Sequence, residues 1–154
     1  MCKCDKLFTD FKWKDLETLD PKELPNTPGI YAIRIKQKGK PISEIKQRVE
    51  DFLKKTNWKP FKQYVQNRIN RLENIGGCPI IYIGAAPNTL RGRYEDLCGR
   101  RHTALYPILA LLTANWKLQL GYKQTTKTEA KQTEEKLKQQ YQQTHKTLPA
   151  LVKR

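Results

Sequence analysis

The chain has 154 residues and a formal net charge of +15, from 30 Lys and Arg against 15 Asp and Glu. That length suits one domain with a real core and is short for two ordinary ones. A membrane span is excluded by the lack of any apolar run near ~18 residues, a disulfide miniprotein by only four cysteines, and wholesale disorder by 38% hydrophobic residues.

The N-terminus MCKCDKLFTDFKWK lacks an apolar signal core, so a cytoplasmic chain is expected, nucleoid-associated if prokaryotic. The basic balance points to a polyanionic partner, nucleic acid above all. An anionic membrane surface and plain solubility are the alternatives that charge alone leaves open.

Residues 1–28 read as an entry segment, and Pro21, Pro25 and Pro28 keep its end irregular. Gly29–Lys36 then alternates Tyr31, Ile33 and Ile35 as a strand does. Residues 37–78 read as a helical pair. Ile45, Val49, Phe52 and Leu53 make one apolar stripe; Phe61, Val65, Ile69 and Leu72 make the other, with Pro60 in its first turn. Between Lys36 and Arg71 there are eleven Lys or Arg and three Asp or Glu; any single lysine reads equally well as part of a solvated helix surface, the block as a whole less so. Pro79–Gly84 is a second strand, 89–98 and 103–114 are two helices, and Lys117–Gln124 is a third strand. A last helix covers about Thr128 to Thr144, followed by the extended tail HKTLPALVKR. The class is α+β: a small mixed or antiparallel sheet of about three strands, flanked by helices, in a single domain.

On the last helix Ala130, Leu137 and Tyr141 share one face, and Glu134 lies on it among them. Lys131 and Lys138 flank the stripe. A carboxylate buried there needs a partner. It is a metal ligand or catalytic acid, or else the mate of a buried arginine. Glu129 and Glu135 are ordinary surface acids. After the second strand, Asn88 or Thr89 can cap a helix whose first turns carry Arg91 and Arg93. Arginines there meet a phosphate or a carboxylate bidentately; for Arg91 a solvated charge is the simpler reading.

The tripeptides GIY at Gly29–Tyr31 and YIG at Tyr82–Gly84, each on an expected strand, resemble the signature of the GIY-YIG nuclease family. The spacing YIG-x5-L-x2-R runs through Leu90 and Arg93, and A-x3-E-x2-L runs through Ala130, Glu134 and Leu137. The lead-in LPNTPGIY and the ending LPAL are also similar to family members. The resemblance implies a metal-dependent DNA endonuclease of restriction, defence or repair type. Its cofactor would be Mg²⁺ or Mn²⁺, held by Glu134. Its substrate would be double-stranded DNA, met by a monomer or, because one site cuts one strand, a homodimer. By the same resemblance Arg93 stabilises phosphate charge, Tyr31 is the general base and Tyr82 orients water or phosphate. A free tyrosine titrates near pH 10, so base function requires its pKa to fall or its proton to be relayed.

The chain departs from the family pattern in three places. Residues 32–81 intervene between the motifs, so 37–78 reads as an insertion. Val152 stands where many members have asparagine. Leu97 stands where members carry His or Tyr, which leaves His102 as a catalytic candidate or a structural histidine. The insertion residues Lys46, Lys54, Lys55, Lys59, Lys62, Arg68 and Arg71 are candidates for phosphate contacts, which position without specifying sequence. Arg91, and Arg100 and Arg101 beside His102, extend that set. Trp58 and Tyr64 stack on bases or, more in keeping with their type, pack in the core. The C-x-C of Cys2 and Cys4 is not the spacing of zinc sites; with Cys78 and Cys98 these are expected to be reduced thiols, a four-cysteine zinc site being the alternative. His145 is expected to be exposed. A non-catalytic binding module on the same fold, or a basic interaction protein with coincidental motifs, are the competing functions.

Overall fold

A computed structural model describes residues 2–99, 102 and 104–152. The sheet is antiparallel and has four strands rather than about three: β1 (Lys12–Asp15), β2 (Gly29–Gln37), β3 (Ile80–Ala86) and β4 (Lys117–Gln124), in the order β1-β4-β2-β3. The additional strand, β1, comes from the entry segment, where Lys12 pairs with Tyr122 and Asp15 with Gln119. Four residues with two lysines carry no strand periodicity of their own. Trp13 supplies the anchor, stacked on Phe11 with the Arg34 guanidinium 3.9 Å from its ring centre.

The helices are α1 (Ile42–Leu53), α2 (Lys59–Ile69), α3 (Leu90–Cys98), α4 (Leu105–Thr113) and α5 (Lys127–His145). Short 3₁₀ turns cover Lys3–Phe8, Leu16–Thr18, Pro21–Glu23 and Asn70–Asn74. Thr89 caps α3 by accepting from the Gly92 amide at 2.9 Å. Thr126 and Glu129 form a capping box at the start of α5. The tail is not extended: it turns at Ala150 and Leu151, and the Leu151 amide donates to the Ile81 carbonyl at 2.9 Å. Among the described residues no helix is long and apolar enough to cross a membrane.

The strand alternation sends side chains to two cores. On one face Tyr31, Ile33, Leu118, Leu120 and Tyr122 meet α1 to α4. On the other, Ile30, Ala32 and Ile83 meet Leu137 and Tyr141 of α5 together with Cys4, Phe8 and Phe11 of the entry segment. The ladder between β2 and β3 steps from the Ile33–Tyr82 pair to Arg34–Ile80, which leaves Ile81 as a bulge. That extra residue puts Ile81 and Tyr82 on the same face, beside Tyr31.

Three expectations for the insertion and its surroundings need correction. Phe52 does not join the stripe of α1; it is 64% exposed. Trp58 does not enter the core; it is 66% exposed and stacks on Phe61 at 5.4 Å. Tyr64 is also on the surface, with the Arg68 guanidinium 3.3 Å from its ring centre.

Candidate active site

The two motifs meet at the β2–β3 ladder. Tyr31 pairs with Gly84, and the Tyr31 and Tyr82 rings stack with centres 5.7 Å apart. The glycine is a steric requirement. A Cβ on Gly84 would lie 2.7 Å from Tyr31 Cζ and Oη and 2.8 Å from Tyr82 Cε1. Gly29 meets the same kind of limit, because a Cβ there would fall 2.4 Å from the Lys123 carbonyl oxygen. Both glycines of the tripeptides therefore let the sheet and its tyrosines close up.

His102 lies against the tyrosine pair and is 5% exposed. Its Nε2 is 2.9 Å from Tyr31 Oη, and its Nδ1 accepts the Ala104 amide proton at 3.1 Å. With Nδ1 accepting, the ring proton of the neutral imidazole sits on Nε2 and donates to Tyr31 Oη. Burial, reinforced by the nearby Arg93 and Arg71 charges, pushes the His102 pKa down to about 4. The residue is neutral at physiological pH and is a donor rather than a base.

Tyr31 is almost fully buried, and burial pushes its phenol well above the ordinary tyrosine value, with Tyr82 adding to the rise and Arg93 opposing it. Tyr82 is raised by burial as well, and further by the Glu134 charge, against the pull of Tyr31 and Arg93. Arg93 Nε is buried without a hydrogen-bond partner among the described residues. Such an orphaned donor costs free energy until an acceptor arrives.

Glu134 is 5% exposed. Among the described residues its partners are lysines and not a buried arginine. Its Oε1 accepts from Lys131 Nζ at 3.0 Å and from Lys138 Nζ at 3.1 Å. These are the lysines that flank the stripe one turn either side of it. The hydrogen bond to Glu134 raises the Lys131 pKa.

A cleft of about 690 Å³ opens at the β3 edge of the sheet, lined by Tyr82, Arg93, Glu95, Asp96, Lys131 and Glu134 together with the 85–89 turn. Tyr31 and His102 stand behind Tyr82, as the ring contacts show. The sequence candidates Tyr31, Tyr82, Arg93, His102 and Glu134 thus converge on one place, although α3 and α5 approach it from opposite faces of the sheet. Leu97 and Val152, at the positions of departure, are both buried and apolar.

The basic candidates divide. Lys54, Lys59 and Lys62 line a groove of about 440 Å³ between α1 and α2, and Lys55 is exposed. Lys46 is ion-paired with Glu73. Arg68 donates to the Tyr64 carbonyl at 3.0 Å, and Arg71 to that of Leu151 at 3.4 Å. Arg91 is neither solvated nor turned toward the cleft: Nε and Nη2 both donate to the Leu24 carbonyl, at 3.2 and 3.0 Å, tying α3 to the entry segment. Arg100 and Arg101 lie outside the described residues.

A second cluster was not legible from the cysteine spacing. Cys2, Cys4, Cys78 and His145 bring their ligand atoms within 4.8 Å of one another and could hold a metal ion. His145 is half-buried rather than exposed. Cys98 is exposed and lies outside the group.

Compared with known proteins, the chain matches no family model, no curated protein and no solved structure.

Proposed function

We propose that this protein is a metal-dependent endonuclease of the GIY-YIG kind, hydrolysing phosphodiester bonds in double-stranded DNA. The observation that carries the reading is the shared cleft. A buried carboxylate, an arginine with an unpaired buried Nε and Tyr82 line one opening, with Tyr31 stacked behind Tyr82 and held by a neutral histidine. Binding alone needs no buried carboxylate, and the Arg93 guanidinium keeps its Nε free for an acceptor while it interacts with Tyr31.

The donor set suits a hard divalent cation. Glu134 supplies a single carboxylate at a cleft roomy enough for waters and a phosphate, which is how Mg²⁺ is usually held. Such an ion supplies polarisation of the phosphoryl oxygen. Arg93 places fixed positive charge where the phosphate gains negative charge. Its buried Nε would find in a phosphate oxygen the acceptor it lacks.

Tyr31 is a phenol in the free protein, because burial outweighs Arg93. Two groups favour its ionised form: the Arg93 charge and the Nε2–H of His102. Both are in place before substrate arrives. For Tyr31 to act as base, its phenol proton would first leave by way of the Tyr82 hydroxyl to solvent in the cleft; its Oη would then take a proton from the attacking water, while His102 keeps its own proton and holds the oxygen. The exposed Phe52, Trp58 and Tyr64 around the lysines of the α1–α2 groove provide stacking and phosphate contacts for the duplex. Their exposure is what a binding face would present and a core would not.

A second reading, a non-catalytic nucleic-acid-binding module, draws on one observation: Lys131 and Lys138 already neutralise Glu134. Supercoiled plasmid incubated with Mg²⁺, Mn²⁺ or EDTA, beside Glu134→Ala, separates the two. Nicks that need metal and vanish in the variant support the nuclease. Salt-sensitive binding by both proteins, with no cleavage in any metal, supports the module.

A further inference from the structure

The 3₁₀ turn Lys3–Phe8 starts directly after Cys2, and the Cys2 amide donates to Asp5 at 3.2 Å. This turn folds the C-x-C back on itself, so the Cys2 and Cys4 sulfurs lie 3.3 Å apart. Cys78, just ahead of β3, brings its sulfur to 3.1 Å from that of Cys4. His145 is the last residue of α5, and its Nε2 lies 3.3 Å from Cys2 Sγ. The helix stops there because Lys146 adopts a left-handed conformation, φ 63°, with its amide bonded to the Gln142 carbonyl at 2.7 Å. A non-glycine residue in that conformation is uncommon, and here it fixes the position of the imidazole. Three segments far apart in sequence therefore deliver three thiols and one imidazole to a single point.

The separations agree with a tetrahedral site. Zinc–sulfur bonds of about 2.3 Å and zinc–nitrogen bonds of about 2.0 Å give tetrahedron edges of roughly 3.8 Å for S···S and 3.5 Å for S···N. The contacts at 3.1 to 3.3 Å fall short of those edges by less than 1 Å, while no pair in the group exceeds 4.8 Å. The same distances are too long for a disulfide, whose sulfurs sit about 2.05 Å apart. Soft thiolates with an imidazole select zinc over magnesium or manganese. Four protein donors leave no position for substrate, which is the pattern of a structural site. An opening lined by Cys2, Asp5, Gly77, Cys78, Pro79 and His145 gives the ion a way in.

We infer that Cys2, Cys4, Cys78 and His145 form a structural zinc site that clasps the N-terminal turn and the C-terminal end of α5 to the start of β3. The thiols release their protons as the ion binds. The clasp closes two long loops, Cys4 to Cys78 and Cys78 to His145, which an apolar core of this size would otherwise have to hold alone. It also anchors the helix that carries Glu134, at the far end from the cleft. The inference does not depend on the nuclease reading, because its readout is metal content rather than cleavage.

The test begins with the full chain, purified under reducing conditions and dialysed against Zn²⁺. Metal analysis is expected to give one zinc per chain in the wild type and in Cys98→Ser, and less than about a tenth of that in Cys78→Ser and His145→Ala. Because unfolding of those variants would also lower their zinc, the wild-type chain loaded with Co²⁺ gives an independent reading. Intense visible bands of tetrahedral cobalt and a thiolate charge-transfer band are expected, displaced by one equivalent of Zn²⁺. Three thiols are expected to react slowly with a thiol reagent until a chelator is added, while Cys98 reacts at once. Sub-stoichiometric zinc after dialysis, octahedral cobalt spectra, or four thiols equally reactive with and without zinc would each overturn the inference. So would a Cys4–Cys78 disulfide whose reduction is not followed by zinc uptake.

Discussion

Glu134 and His145 lie on one helix, eleven residues apart, about 16 Å along its axis, and their surroundings differ in kind. Around Glu134 the neighbours are hard and charged: two ammonium groups on one oxygen, an arginine and the Tyr82 phenol, opening onto a wide cleft. Around His145 they are soft: two sulfurs from the N-terminal turn, one from the start of β3, and the Tyr141 ring 4.4 Å from the imidazole. The carboxylate already has partners, so its site can exchange them. The thiols face chiefly one another and the imidazole, so a cation would replace weak S–H contacts with bonds to thiolate. One helix thus presents an exchangeable site in its middle and a fixed one at its end, which is a sensible division between chemistry and support.

The strongest way to break this comparison is at the cleft. Glu134→Ala is expected to lower metal-dependent nicking by at least about 10³-fold, the equivalent of roughly 4 kcal/mol of lost charge stabilisation. Zinc content should be unchanged. If nicking and zinc fall together, the two ends are not independent and the variant has disturbed α5 as a whole. Plasmid nicking beside metal analysis on the same preparation decides it. The converse variant, Cys78→Ser, is expected to lower the melting temperature by on the order of 10 °C. DNA binding at a temperature below both transitions should survive, measurable by fluorescence anisotropy.

The two ends were not equally legible in the sequence. Glu134 could be found because a carboxylate interrupts a stripe of Ala130, Leu137 and Tyr141, and helical periodicity is a local signal. The strands β2 and β4 announced themselves through the alternation of Tyr31 and Ile33 and of Leu118 and Leu120, and β3 through a short apolar run bounded by Gly77 and Gly84. The lysines that neutralise Glu134 were visible as flanking residues, but their reach onto one oxygen depends on side-chain direction that spacing alone does not give. The thiol cluster could not be read, because its order along the chain is set by the fold: Cys4 and Cys78 are 74 residues apart. Its C-x-C matched no metal motif, and His145 looked like a tail residue. The strand β1 was missed because Lys12–Asp15 has no alternation and pairs only where β4 offers an edge. Phe52 and Trp58 misled the helix reading, since their residue type suits a core and their exposure is the informative fact.

The close fit of the tyrosine pair offers a sharper probe within the cleft. Gly84→Ala must push back Tyr31, Tyr82 or the strand itself, because its Cβ would sit within 3 Å of both rings. Overpacking of this kind costs about 1–3 kcal/mol, a fall in melting temperature of roughly 3–10 °C. Nicking is expected to fall further than stability does, by about 10²-fold, since the reacting groups are displaced. Thermal melts and nicking rates on Gly84→Ala and Gly76→Ala make the comparison, because a Cβ at Gly76 meets nothing within 4 Å. Equal effects at the two glycines would show that the tyrosine stack does not need Gly84.

His102 supplies a smaller, pH-dependent effect. Its pKa is about 4 in the folded chain against an ordinary value of 6.5. Between those values the unfolded chain holds more protons than the native one, so stability falls as pH drops from about 6.5 to about 4, and this group contributes no further change below that. The full effect is on the order of 3 kcal/mol. His102→Phe is expected to lose that acid slope while being less stable at pH 7, where the Ala104 amide is left without its acceptor. Urea midpoints measured from pH 7 to 4 test this. Parallel slopes in the two proteins would mean that the imidazole is not held neutral beside Tyr31.

The smallest effects on the fold are expected where neither end of α5 is touched. Lys59 and Lys62 line the α1–α2 groove, whereas Arg91 is tied to the Leu24 carbonyl. If the insertion carries the affinity for DNA, each lysine neutralises about one phosphate and contributes roughly 0.9 to the slope of log K against log salt. The double variant Lys59→Ala, Lys62→Ala should therefore flatten that slope by about 2, with the melting temperature and zinc content unchanged. Arg91→Ala should do the reverse, lowering stability through the freed Leu24 carbonyl and leaving the salt slope alone. A slope that responds to Arg91 and not to the two lysines would move the binding face from the insertion to the entry of α3. It would also separate the exposed aromatics around the groove from any part in nucleic-acid recognition.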